Sequence, residues 1–438
     1  MVDLAATLRA AGHQAWCVGG AVRDALLGHA HLDWDLATSA RPEEVRKLFK
    51  RTIPVGIEFG TVGVFDRENV MHEVTTFRKD VKTDGRHAVV EFGASLDDDL
   101  ARRDFTINAM AFDPESGELR DPFDGRTDLK RGIVRAVGVA GDRMREDRLR
   151  ALRAIRFAAR FSFNIEPSTW AAIKESAPHM TRLSAERVKQ ELEKTMQQVE
   201  RPGVALEWWR ESGALAALVP SLADAPVERF RALDFLERPD AEGDAEGGAK
   251  GAVLDRLAML FFGDPPGGVE KALRALKFSN ADASWIVALA RARAQVGAAM
   301  DAALAETGGP GPAPGDIRRW VAVAGRTRTE AFCRLTVALN LALAATPDAV
   351  DGRLSVAEAV RGRLLQFAKS AVEIAFRDPI ELADLAVDGE DLRAAGVPDG
   401  PEMGRILKAL LERVIEDPAA NTTAGLTAVA RSLVASAR

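Results

Sequence analysis

Short apolar runs alternate with amphipathic stretches over the first 140 residues of this chain, and a helical period takes over from there. The runs at 15–18, 34–37, 61–65 and 71–77 predict strands. Residues 22–27 and 42–49 predict helices, the second opening on Pro42 at an early helical position. Residues 79–87 are polar, charged and glycine-bearing, which predicts a mobile loop. From Asp142 onward the pattern is helical. The clearest segments are 145–161 and 184–198, the latter beginning with the cap-like Ser184-Ala185-Glu186-Arg187. Two passages interrupt the remainder, 237–251 with mixed Asp, Glu and Gly and 306–315 rich in Gly and Pro, and both are expected to be exposed and flexible. No internal repeat of fixed period is present. The elements give an α+β head followed by an all-α body.

A length of 438 residues is too great for one core, so two to four domains are expected. Two cysteines far apart, Cys17 and Cys333, argue against a disulfide framework or a zinc site. The opening residues carry Asp3 and no long apolar core, and no apolar stretch approaches the roughly 20 residues of a membrane span. A cytoplasmic protein with no membrane contact and no evident obligate protein partner is expected. The formal charge of −6 means that any nucleic-acid surface must be local rather than global. Tyrosine is absent, which removes one residue type that stacks on bases.

Candidate chemistry concentrates in four places. Gly19-Gly20-Ala21-Val22-Arg23-Asp24 lets backbone N–H groups close on a phosphate ahead of a helix, with Arg23 as a cation for a triphosphate. Asp33-Trp34-Asp35 follows, and carboxylates at i and i+2 of a strand share a face, which suits hard cations such as a pair of Mg²⁺ ions. Gly-Gly alone is a common turn and Asp-x-Asp alone a common strand end; their order and proximity make them specific. Arg102-Arg103-Asp104-Phe105-Thr106-Ile107-Asn108 offers phosphate, ribose and metal-water contacts, or a surface ion-pair ladder. Glu146-Asp147-Arg148-Leu149-Arg150, with Arg153 and Arg156 beyond, lies on the expected helix, so that Asp147, Arg150 and Arg153 would be surface neighbours. An Asp beside an Arg accepts the Watson–Crick edges of C and A and rejects U and G. On spacing alone, a helical salt bridge is the commoner outcome. Finally, Asp84-Gly85-Arg86-His87 could close over a nucleotide, or be an ordinary solvated loop.

Over roughly residues 15–200, these motifs and their order resemble those of class II CCA-adding tRNA nucleotidyltransferases and the related bacterial poly(A) polymerases. Asp121-Pro122-Phe123 to Leu129 also matches, as a spring-like hinge. The resemblance implies a polymerase-β-like nucleotidyltransferase head over 1–140, a helical neck for nucleotide selection over 141–210, and a tRNA-binding helical body and tail over 211–438. It implies that Asp33 and Asp35 are the catalytic, metal-binding carboxylates for two Mg²⁺ ions. Gly19, Gly20, Arg23, Arg103, Asp104 and Asn108 would hold the nucleotide, Asp147, Arg150, Arg153 and Arg156 would read its base, and Asp84, Gly85, Arg86 and His87 would form the flexible loop. Glu73, on a neighbouring strand, is a further carboxylate candidate.

The implied activity is template-independent addition of C, C and A from CTP and ATP to the tRNA 3′ end, with release of pyrophosphate. Many relatives carry a tyrosine in the loop and a proline after its basic pair, where this chain has Val81-Lys82-Thr83 and Ala88; a CC-only enzyme therefore stays open. An A-only enzyme, a poly(A) polymerase and a non-catalytic RNA-binding protein stay open beside it. The last histidine is His179, so the phosphohydrolase domain of some relatives is not expected.

Overall fold

The head grows from a mixed sheet of short strands. In chain order it comprises α1 (Val2–Ala10), β1 (Ala15–Val18), α2 (Gly20–Leu26), β2 (Asp35–Thr38), α3 (Pro42–Leu48), β3 (Thr52–Gly56), β4 (Thr61–Phe65) and β5 (Met71–Thr76). There follow β6 (Arg78–Thr83), β7 (Ala88–Phe92), α4 (Leu96–Ala101), β8 (Ala111–Phe112) and β9 (Leu119–Arg120). The computed structural model describes residues 1–29, 34–83, 88–239, 246–305, 311–347 and 354–436. The main sheet runs β3-β4-β5-β2-β1-β8-β9, and its one parallel pair is β2 with β5. Alternation buries Val18, Ala37 and Ala111 with Phe77, Leu96 and Leu100 beneath the sheet, and Trp16 and Phe123 close the edge of this cluster.

The α+β class and the strands at 15–18 and 61–65 are as expected, and the strand expected at 34–37 lies one residue later. The strand at 52–56 escaped prediction because its residues are mostly exposed and include Pro54, as befits an edge. Of the loop expected over 79–87, residues 79–83 are instead part of strand β6, which pairs antiparallel with β7, Arg78 opposite Phe92 and Thr83 opposite Ala88. This ribbon is a two-stranded sheet of its own, joined by no strand pairing to the main sheet. The Asp84, Gly85, Arg86 and His87 expectation lies outside the described residues.

Beyond the sheet come α5 (Gly125–Arg131), β10 (Ile133–Val134), α6 (Ala140–Glu146), α7 (Leu149–Phe161), β11 (Asn164–Ile165), α8 (Pro167–Ser176) and α9 (Ala185–Gln198). The continuous helix expected over 145–161 is broken between α6 and α7. Asp147 takes an extended backbone (φ −147°, ψ 106°) and turns its carboxylate onto the Leu149 N–H at 3.1 Å. That local bond competes with helix continuation. α7 then buries Leu152, Ile155, Phe157 and Ala158.

The chain falls into two units: residues 1–195 with 205–220, and residues 196–204 with 221–438. The first joins the expected head to most of the expected neck. Among its described residues the second is helical apart from one two-residue strand pair, with long helices at Glu246–Leu260, Asn280–Ala305, Thr329–Ala344 and Glu358–Arg377. The stretch 237–251, expected to be a flexible linker, includes the start of the first of these helices. Within this unit Arg256 is 1% exposed and donates to the carbonyls of Met196 (2.6 Å) and Val199 (3.1 Å). Burial lowers its pKa to about 10. No helix among the described residues is long and apolar enough to cross a membrane.

Candidate active site

The turn from β1 into α2 is where the sheet opens a cleft. Gly19 has φ 75° and ψ −132°, a combination that only glycine adopts without strain. A Cβ there would also stand 2.8 Å from Nη1 of Arg103. Glycine at 19 therefore lets the β1–α2 turn lie against a guanidinium. The cleft has a volume of about 430 Å³. Nine residues expected at the site converge on it: Gly19, Gly20, Arg23, Arg103, Asp104, Asn108, Asp147, Arg150 and Arg153. Arg102, Leu149, Phe157 and Arg187 complete the lining, so six arginines face two aspartates. That excess of positive charge suits a polyphosphate.

Every one of those arginines has a carboxylate partner. Arg23 is 4% exposed, lies 2.7 Å from Asp24, donates to Asn108 Oδ1 and lies over the rings of Phe157 (5.0 Å) and Phe161 (4.8 Å). Arg102 (2.9 Å) and Arg103 (3.2 Å) share the buried Asp99. The Nε atom of Arg103 is buried without a hydrogen-bond partner, an unspent donor in the wall of the cleft. Arg150 pairs with Glu146 at 2.6 Å and donates to the Arg102 carbonyl at 3.0 Å. Arg153 holds Asp104 at 2.7 Å. Burial would push the Asp104 carboxyl up, but the Arg153 charge, the Asn108 amide and the Phe105 N–H hold it below the usual value. The same pair raises Arg153, because Asp104 stabilises its charged form.

Asp147 and Arg150 reach the cleft by a route different from the helical spacing expected. The break at 147 places Asp147 ahead of α7 while Arg150 stays in its first turn, and Arg187 from α9 lies 2.7 Å from Asp147 Oδ2. Arg187 escaped the sequence reading; its only signal was a place in the cap-like Ser184-Ala185-Glu186-Arg187. The structure does not bring Arg156 to the cleft. It is 3% exposed, pairs with Glu191 at 2.8 Å and lies 4.5 Å from the Phe157 ring centroid. It fixes α7 against α9.

Asp33 lies outside the described residues. Asp35 opens β2 directly opposite Val18, one residue before the glycine pair. Leu36 pairs with Val74 in parallel, the first paired position of β2 and β5, and Asp35 and Glu73 each immediately precede it on their strands. This all-oxygen donor set fits a hard divalent cation. No group of three or more His, Cys, Asp or Glu residues placed to hold a metal occurs among the described residues.

Comparison with known proteins gives a consistent result. The "Poly A polymerase head domain" family matches residues 15–135, the "Probable RNA and SrmB- binding site of polymerase A" family matches 162–225, and a "tRNA nucleotidyltransferase domain 2" family matches 363–430. The CCA-adding enzyme of Latilactobacillus sakei is 34% identical over 437 residues, covering 97% of this chain and 95% of that protein. The CCA-adding enzyme of Streptococcus sanguinis is 49% identical over 255 residues, a stretch spanning 58% of this chain and 57% of that one. Among solved structures, the Bacillus stearothermophilus CCA-adding enzyme in complex with CTP superposes with a TM-score of 0.70 at 30% identity, covering 99% of this chain and 97% of its own.

Proposed function

The chain belongs to the CCA-adding tRNA nucleotidyltransferases, a family whose chemistry is metal-dependent, and from that premise we propose that it adds C, C and A to the 3′ end of tRNA using CTP and ATP. One observation carries the reading: a single cleft joins an arginine-lined wall, a glycine turn with no side chain in the way, and Asp147 beside Arg150. In this reading residues 1–140 are the catalytic head, 141–210 select the nucleotide, and 211–438 hold the tRNA by shape and backbone. The place of action is the cytoplasm.

Asp33 and Asp35, with Glu73 on the neighbouring strand, would hold two Mg²⁺ ions, which when bound lower the pKa of the attacking 3′-hydroxyl and neutralise the leaving pyrophosphate. Arg103 presents its guanidinium to the triphosphate, and Gly19 and Gly20 let the phosphates approach the backbone. Arg23 and Asn108 fix the floor beneath them. The bond from Arg187 and that from the Leu149 N–H leave lone pairs on both Asp147 oxygens, which accept the exocyclic amine of C or A. Arg150 keeps Nε–H and one Nη2 hydrogen for a ring acceptor after its bonds to Glu146, Arg143 and Arg102. Arg153 serves through Asp104, and Arg156 through Glu191, as positioning residues.

The deciding experiment incubates the protein with Mg²⁺, both nucleotides and tRNA ending at the discriminator base, and sequences the products. Termini of CCA are expected. Long A-tails would favour a poly(A) polymerase, termini of CC would mark a CC-only enzyme, and no extension would overturn the reading. Asp35→Ala should abolish incorporation of both nucleotides while leaving the melting temperature near that of the wild type.

A further inference from the structure

One side chain ties the β4–β5 turn to the strand that carries Asp35. His72 in β5 is 8% exposed, and both of its ring nitrogens are in contact with oxygen. Nδ1 lies 3.2 Å from the carbonyl oxygen of Trp34 and Nε2 lies 3.0 Å from Asp66 Oδ2. A carbonyl only accepts, so the contact with Trp34 is made by an N–H on Nδ1. Asp66 is itself rigidly held. Its Oδ1 accepts the Glu68 N–H (2.9 Å) and the Val70 N–H (2.8 Å), and its own N–H donates to the Val70 carbonyl at 2.9 Å. The hydrogen bond from His72, followed by those two amides, keeps the Asp66 carboxyl below its usual value. The Trp34 carbonyl lies at the other end, one residue before Asp35, and pairing of β2 with β5 starts only at Leu36.

We propose that His72, oriented by Asp66, is a positioning residue for Asp35: by holding the Trp34 carbonyl it fixes the backbone from which the Asp35 carboxylate leaves the sheet. The inference rests on the reading of Asp35 as a metal-holding carboxylate. The test compares His72→Phe, which fills the space without donors, with His72→Asn, whose amide nitrogen can take the place of Nδ1. Mn²⁺ affinity is measured by electron paramagnetic resonance on the full chain with a non-hydrolysable CTP analogue, alongside kcat and KM for CTP. For His72→Phe, Mn²⁺ affinity and kcat should each fall about tenfold, the scale of one lost hydrogen bond, with KM for CTP within about twofold of wild type. His72→Asn should bring both back to within about threefold. Unchanged Mn²⁺ affinity in His72→Phe, or a loss that His72→Asn fails to repair, would overturn the proposal. Should His72→Phe not fold, Asp66→Asn keeps the Oδ1 acceptor of the turn; it should lower Mn²⁺ affinity about threefold, and parity with wild type would overturn the proposal. A wild-type protein that incorporates no nucleotide defeats the parent reading instead.

Discussion

Replacing Gly19 with alanine adds one methyl group at the place where the sheet meets the cleft, and its cost can be worked from the structure. The backbone at φ 75°, ψ −132° is costly for any side-chain-bearing residue, by about 1–3 kcal/mol. The new Cβ would stand 2.8 Å from Arg103 Nη1, so the guanidinium must move from a position set by Asp99 at 3.2 Å and the Asn108 carbonyl at 3.4 Å. A combined penalty of about 2 kcal/mol lowers the melting temperature of a unit this size by roughly 4–8 °C. CTP affinity, measured by calorimetry without acceptor RNA, should fall about tenfold because Arg103 no longer faces the phosphates. Arg103→Ala separates the two causes. In that background the methyl has room, so Gly19→Ala should cost about 1 kcal/mol less than in the wild type. Strictly additive effects, or a Gly19→Ala protein melting within about 1 °C of wild type, would refute the close-approach argument.

Asp147→Asn keeps the shape of the side chain proposed to read the base but gives it a donor, so UTP incorporation should rise relative to CTP by about 10- to 100-fold in single-nucleotide competition. Burial pushes Glu166 up, yet bonds from the Ser168 hydroxyl, the N–H groups of Thr169 and Ser168 and the Thr169 hydroxyl prevail and bring its pKa to about 2. A carboxylate depressed on folding contributes stability that is present above its unfolded value and lost as pH falls through the folded one. Thermal melts between pH 5 and pH 2 should therefore decline less steeply for Glu166→Gln than for the wild type. Asp99→Asn releases both Arg102 and Arg103 from a carboxylate that is 1% exposed. Its kcat should fall about tenfold with no rise in KM for CTP, since charge remains and orientation is lost; a rise in KM at constant kcat would contradict this.

Strand and helix existence in the head was legible where a short apolar run is buried, as in β1 and β4, or where Pro marks a helix start, as in α3. It failed where a polar, charged stretch pairs as a strand, as in β6, and where a side chain intervenes locally, as at Asp147. The site was legible as a set of residues because glycines, acids and arginines occur in an order that a phosphate-handling cleft requires. Its geometry was not. The sequence places Asp147, Arg150 and Arg153 on one helical face, whereas the chain breaks at Asp147 and hands each arginine a different partner. Arg156 has the same spacing as Arg153 but turns to Glu191 in the interior, a difference decided by the helix packed behind it. Arg187 and Asp99 were invisible because tethering residues have no motif of their own.

That tethering explains how a chain of net charge −6 can present a cationic cleft. Asp24, Asp99 and Glu146 hold arginines of the lining without being part of it, while Asp104 and Asp147 stand within it. Each pair lowers the net field that a triphosphate meets and, in exchange, removes the rotamer freedom of a long side chain before the ligand arrives. The buried Nε of Arg103 shows that the exchange is incomplete by one donor, and that donor belongs to the guanidinium for which the glycine turn leaves room. A site built this way gains little from raw attraction and much from direction. Such a balance suits an enzyme that must distinguish two nucleotides by their base edges while treating their phosphates alike.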